Sequence, residues 1–166
     1  MRHTQILVIG YNADKCTKRA YYIAYRVGRE IAERKAVLIT GGLGGVMEAA
    51  CKGVADAGGL SVGIIPFDEF SKANRYCKIV ICTGMGYVRN YITAYSADGT
   101  IIIGGGVGTL IEAGVAYMKK KPIVAIVGSG GIADSYAGKY LDDRKSVRIA
   151  GRSNARDAVG YIVGRV

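Results

Sequence analysis

One histidine stands in the 166 residues, His3, close to the start. A zinc site built on imidazoles, or a Ser-His-Asp triad, needs more than that residue at that place. The four cysteines, Cys16, Cys51, Cys77 and Cys82, include no CxxC pair. Their settings read as a loop, a helix face and a strand region, and without an export signal they are expected to be reduced. No apolar run approaches the ~18 residues that span a bilayer. The opening segment, MRHTQILVIGYN, has too short an apolar core for a signal peptide and reads as a first strand. A cytoplasmic protein is therefore expected, with no membrane partner and no metal. Linkers, low-complexity tracts and composition breaks are missing as well, so residues 1–166 are expected to form one domain, long enough to bury a core.

Acidic residues are also scarce: 13 against 23 lysines and arginines, for a net charge of +10. That balance attracts anions of any kind, from nucleotides to nucleic acid. The basic residues are scattered, however. Their runs are Lys119–Lys121, at a helix C-terminus where the dipole favours cations, and Arg144 with Lys145. No stripe of interleaved aromatic and basic residues marks a nucleic-acid surface, so nucleic acid is not the expected partner. Half the residues are apolar and 22% are charged, as in a globular chain.

The stretch that organises the rest is residues 98–118, DGTIIIGGGVGTLIEAGVAYM. Thr100 to Ile103 is a short β-branched run, read as a buried strand. Gly104, Gly105, Gly106 and Gly108 follow, and Thr109 opens a helical pattern. Strand, glycine turn, helix is the layout of a phosphate site: the backbone can approach an anion, and the first helical amides point at it. Glu112 is placed in the first turn of that helix, as either a dipole-favoured acid or a functional group. The chain repeats this pattern. Residues 41–49, GGLGGVMEA, and residues 105–113, GGVGTLIEA, both fit GGxGxxxEA. The first copy places Gly41, Gly42, Gly44, Gly45 and Glu48 in the positions held in the second by Gly105, Gly106, Gly108, Thr109 and Glu112.

Around these, apolar periodicity lays out the chain. Strands are expected at Gln5–Ile9, Ala36–Thr40, Leu60–Ile65, Lys78–Thr83, Thr100–Ile103, Pro122–Val127 and Lys145–Ala150. Helices are expected over 18–34 (Thr17 as cap), about 46–57, from near Tyr87, from Thr109, after Gly130, and a last one capped by Ser153. Residues 67–78 form the longest irregular stretch, a candidate lid. Arg89 and Asn90 sit at a helix start, where the dipole opposes a cation; that misfit points to binding. Gly128, Gly130 and Ala133 spell GxGxxA, but the acid that a dinucleotide site needs is missing, since position 148 is arginine. Alternating strands and helices imply an α/β, single-domain, doubly wound and mostly parallel sheet of about 6–7 strands, Rossmann-like, with ligands at the carboxyl ends of the strands.

GGGVGTLIE resembles the PGGxGTxxE hallmark of the LONELY GUY and lysine-decarboxylase-like group, with Gly104 in place of the proline. TGGLGGVMEAA, GMGYVRN and GGGVGTLIE together are similar to the molybdenum cofactor carrier branch of that DprA-related superfamily. The resemblance implies a Rossmann-like fold, a homo-oligomer (dimer or tetramer), no catalytic metal and no required cofactor. It also implies a phosphorylated ligand, AMP or a molybdopterin cofactor. Under a binding role, the glycines at 41–45 and 104–108 with Thr109 hold phosphate, while Arg89, Asn90, Glu48 and Glu112 serve the remainder. Under a hydrolytic role, a nucleoside 5′-monophosphate phosphoribohydrolase, Glu112 and Arg89 are catalytic. In the second case Asn90 replaces the lysine common in the enzymes.

Overall fold

The structure is a computed structural model that describes residues 2–166. Its strands are β1 (Gln5–Gly10), β2 (Val37–Thr40), β3 (Leu60–Ile65), β4 (Ile79–Cys82), β5 (Gly99–Ile103), β6 (Ile123–Ile126) and β7 (Ala150–Arg152). Its helices are α1 (Lys18–Glu33), α2 (Val46–Asp56), α3 (Arg89–Tyr95), α4 (Val107–Met118), α5 (Gly131–Tyr136) and α6 (Ala155–Val163). All seven strands pair in parallel, in the order β4-β3-β2-β1-β5-β6-β7. The α/β doubly wound sheet expected from the sequence is the observed one. The order reverses between β1 and β5, which opens a crevice at their carboxyl ends.

Each strand sends successive side chains to opposite faces. Ile6 and Val8 of β1 join the core under α1, α2 and α6; Leu7 and Ile9 join the core with α4 and α5. With both faces covered, the central strands can be uniformly apolar, which is why they show no alternation. Helices α1 and α2 pack with their backbones nearly touching. A Cβ on Gly28 would lie 2.1 Å from the Ala50 carbonyl oxygen, and one on Gly53 would lie 2.0 Å from that of Tyr25.

The Thr17 cap is present, its Oγ1 accepting from the Ala20 amide at 3.0 Å. Other boundaries differ from the sequence expectation. The last strand is Ala150–Arg152 rather than Lys145–Ala150. Its register on β6, Val124 with Ala150 and Ile126 with Arg152, is set by the partner and not by local residue type. Asn154, not Ser153, caps α6, its Oδ1 accepting from the Asp157 amide at 2.9 Å. Helix α4 begins at Val107, two residues before Thr109, so Glu112 lies in its second turn and no acid occupies the first. Val107 and Gly108 are already helical, because Gly106 takes the extended conformation of the cap. No helix among the described residues is long and apolar enough to cross a membrane.

Candidate functional site

An all-parallel sheet puts every strand-to-helix loop on one rim. The loops after β1, β2, β4 and β5 meet there around a cleft of about 290 Å³. Gly41, Arg89, Asn90, Gly106, Gly108, Thr109 and Glu112, all flagged from the sequence, line it. So do Tyr11, Asn12 and Lys15 of the first loop, Met47 of α2, and Tyr87. The sequence reading assigned these no role. The first loop could have been found, since Asn12 and Asp14 are turn residues directly after β1, the strand at the reversal.

The glycines divide into two groups. Gly104, at φ +61°, has Tyr11 against it, so that a Cβ would sit 2.0 Å from the ring. Its amide donates to Ser129 Oγ at 2.9 Å. A Cβ on Gly105 would strike Thr109 Oγ1 at 2.4 Å, and the Gly104 and Gly105 carbonyls accept from Ala133 and Ile132 of α5. Those two glycines are therefore fixed by packing. In the first copy, a Cβ on Gly42 would strike Ile65, one on Gly44 Ala13 and one on Gly45 the Tyr11 carbonyl. Glu48 faces α1, where it accepts from Tyr21 at 3.4 Å, and does not line the cleft. The repeat in sequence is thus not a repeat in role.

Gly106 and Gly108 are different. A Cβ at either would meet nothing within 4 Å. Among the described residues, no hydrogen bond takes up the amides of Gly106, Val107, Gly108 or Thr109. These open donors at the start of a twelve-residue helix have the geometry and dipole of an anion cradle. The Thr109 hydroxyl is committed elsewhere, to the Gly10 carbonyl at 3.2 Å. The GxGxxA turn is also closed: Gly128 and Gly130 donate to the two oxygens of Asp134 at 2.6 and 3.0 Å, so the chain's own carboxylate takes the anion's place.

At the floor of the cleft lie Arg89 and Glu112, with side chains 9% exposed each and Nη1 to Oε1 at 3.6 Å. Arg89 projects from the start of α3 toward Gly41, whose missing side chain makes room: a Cβ there would stand 2.5 Å from Nη1. The Arg89 Nε is buried without a hydrogen-bond partner. Burial pulls the Arg89 pKa down against the pull of Glu112. Burial pushes the Glu112 carboxyl up to about 7, although the Thr93 hydroxyl at 2.6 Å and Arg89 both favour its ionised form. Desolvation outweighs the ion pair for both groups, as it does for imperfectly paired buried charges. Among the described residues, no group of three or more His, Cys, Asp or Glu side chains could hold a metal.

This proton has a measurable consequence. The folded state keeps it to higher pH than the unfolded chain, whose glutamates titrate near 4.5. The stability it contributes is complete below pH 4.5 and is lost as pH rises to about 7, up to about 3 kcal/mol. Asp56, Asp98 and Asp142 are shifted downward and titrate below this window. Urea unfolding between roughly pH 5 and 7 should show falling stability in the natural protein and little slope in Glu112→Gln. An equal slope in both would place the proton elsewhere.

A doubly wound parallel sheet with a glycine-lined cleft at its strand reversal defines a Rossmann-like fold. Residues 3–158 match the SLOG cluster4 family, and the chain belongs to it. An uncharacterised protein of Archaeoglobus fulgidus is 46% identical over 126 residues, 76% of this chain and 82% of that one. Among solved structures, the structural-genomics target TM1055 superposes with a TM-score of 0.88 at 32% identity, over 98% of this chain and 99% of that one. The molybdenum cofactor binding protein of the phototrophic bacterium Rippkaea orientalis superposes with a TM-score of 0.83 at 30% identity, over 99% and 98%.

Proposed function

We propose that the cleft binds a phosphorylated small molecule, either a nucleotide such as AMP or a molybdopterin-type cofactor. The observation that supports this most is the juxtaposition of open amides at Gly106–Thr109 with the buried Arg89–Glu112 pair in one cleft. The amides take the phosphate. Arg89 donates to an anionic or carbonyl oxygen, and Glu112 accepts from a sugar hydroxyl or a ring N–H. Tyr11 and Tyr87 offer ring faces to a heterocycle. The likeness to a molybdenum cofactor binding protein favours a pterin. Isothermal titration against AMP and molybdopterin tests the reading, and binding of neither contradicts it.

A second reading draws on one observation: a buried carboxyl with a pKa near 7 can serve as a general acid or base. Under it, the protein hydrolyses the N-glycosidic bond of a nucleoside 5′-monophosphate, and Glu112 stabilises the oxocarbenium-like state or activates water. Adenine and ribose 5-phosphate released from AMP, and lost in Glu112→Gln, would establish it; intact AMP would dismiss it.

The cleft adjoins an apolar face. Val107, Ile111 and Met118 of α4 are exposed at i, i+4 and i+11, beside exposed Tyr91 and Tyr95 of α3. A second copy of the chain covers that face in our reading, giving a homo-oligomer. Sedimentation should show a dimer or larger species that Ile111→Asp with Met118→Asp converts to monomer. A monomeric natural protein would refute it.

A further inference from the structure

Cys51 and Cys77 are 26 positions apart, yet their sulfurs lie 3.5 Å from each other. Cys51 is fully buried on α2, and Cys77 is half-buried in the turn that leads into β4. Nothing about the cleft requires this meeting. Cys77 is held against β3, where a Cβ on Gly63 would come within 2.7 Å of its sulfur. Its turn is tied down by Asn74, whose side-chain oxygen accepts from the Tyr76 amide at 3.1 Å.

The two thiols are not equivalent. Hydrogen bonds from Cys51 and from Asn74 hold the Cys77 thiol below its ordinary pKa in spite of burial. The contact with Cys77, together with burial, pushes Cys51 far up. Cys77, half-buried where Cys51 is fully enclosed, is the sulfur a reagent can reach, so Cys77 is the thiolate that attacks and Cys51 the thiol that follows.

We propose that Cys51 and Cys77 form a reversible intramolecular disulfide, a covalent modification site separate from the ligand cleft. The sulfurs need to close by about 1.5 Å, from their present contact to a bond of about 2.05 Å. A low-molecular-weight disulfide is the oxidant. The Cys77 thiolate attacks one of its sulfurs, the reagent's S–S bond breaks, and half of the reagent leaves as thiolate. The other half remains on Cys77 as a mixed disulfide. Cys77 then no longer carries the charge that held the Cys51 proton. That proton passes to solvent, and the Cys51 thiolate attacks Cys77 Sγ and expels the second half. Two protein thiols become one disulfide, the reagent disulfide becomes two thiols, and the two protein protons balance the two released thiolates.

The bridge would join α2 to the segment that supports the cleft wall. In that segment the Asn74 amide donates to the Gly42 carbonyl at 2.8 Å, and its Nδ2 donates to the Leu43 carbonyl at 3.0 Å. Leu43 lines the cleft. Residues 67–78, a lid candidate by sequence, contribute no lining residue and act as a buttress for the first glycine loop.

The test uses the full chain, fully reduced, then treated with oxidised glutathione under native conditions. Alkylation after unfolding should count two thiols instead of the four in the sequence. A 51–77 cross-linked peptide should appear, and the thermal midpoint should rise by roughly 5–10 °C, reversibly with dithiothreitol. Cys51→Ala should stop at the intermediate and hold one glutathionyl group on Cys77. Cys77→Ala should take up none at Cys51 while folded. Four alkylatable thiols after oxidation, or an adduct on Cys16 or Cys82 in the Cys51→Ala variant with Cys77 unmodified, would overturn the proposal.

Discussion

Arg89→Gln is expected to weaken binding of the phosphorylated ligand by roughly 30-fold or more, with the fold kept. Losing a buried, charge-assisted contact to a ligand costs about 2–5 kcal/mol, and each 1.4 kcal/mol is tenfold in affinity. A further effect comes through Glu112, 3.6 Å away. Without the guanidinium, only the Thr93 hydroxyl still favours its ionised form, and burial drives its pKa above the present value of about 7. The acceptor that faces the ligand then becomes a neutral carboxylic acid at neutral pH. The variant should tolerate the loss structurally for the same reason. A buried carboxyl that can take a proton leaves no unpaired charge, so the usual penalty for breaking a buried pair is reduced. Arg89→Lys should fall between the two, since an ammonium keeps the charge but not the planar fork. Titration calorimetry on the three proteins, each checked by thermal melting, settles the matter. Unchanged affinity in Arg89→Gln would remove this residue from the site.

The second large effect concerns the scaffold. Gly28→Ala and Gly53→Ala should each destabilise the protein by about 3 kcal/mol, a fall of roughly 6–12 °C in thermal midpoint. Alanine normally gains about 0.8–1.0 kcal/mol over glycine inside a helix. Here the new methyl carbon would stand 2.1 Å from Ala50 O or 2.0 Å from Tyr25 O. Those are main-chain atoms that cannot rotate away, so the two helices have to separate. Gly160→Ala in α6 serves as the control. Its Cβ would meet the end of the Arg34 side chain at 3.5 Å, an ordinary contact, and the change should be neutral or slightly stabilising. Guanidinium unfolding of the three variants measures this. Equal effects at all three positions would mean that the α1–α2 contact is looser than described.

What could be read from the sequence follows from what is local. Buried parallel strands advertise themselves as β-branched runs, and amphipathic helices by their period, so the order of elements and the sheet class were legible. The rim that carries the site followed from topology alone. Pairing was less legible. β7 was displaced because a three-residue edge strand is defined by where β6 ends, and Arg152 N-terminal to a helix carries no strand signal of its own. At the site, the glycine pattern located the loops but could not say which amides remain open. Gly104 lost its amide to Ser129, 25 residues on, and Gly128 and Gly130 lost theirs to Asp134. Glu48 and Glu112 occupy equivalent places in the repeat, yet one faces Tyr21 and the other the cleft, because α2 packs on α1 while α4 packs on α3. The meeting of Cys51 with Cys77 depends on the turn around Asn74 and leaves no trace in spacing.

The most direct measurement is a crystal structure of the protein soaked with AMP. Phosphate oxygens should lie within hydrogen-bond distance of the Gly106–Thr109 amides, with the remainder of the nucleotide reaching Arg89 and Glu112 between Tyr11 and Tyr87. A nucleotide ordered elsewhere on the surface, or seated in the cleft with its phosphate turned away from those amides, would contradict the account.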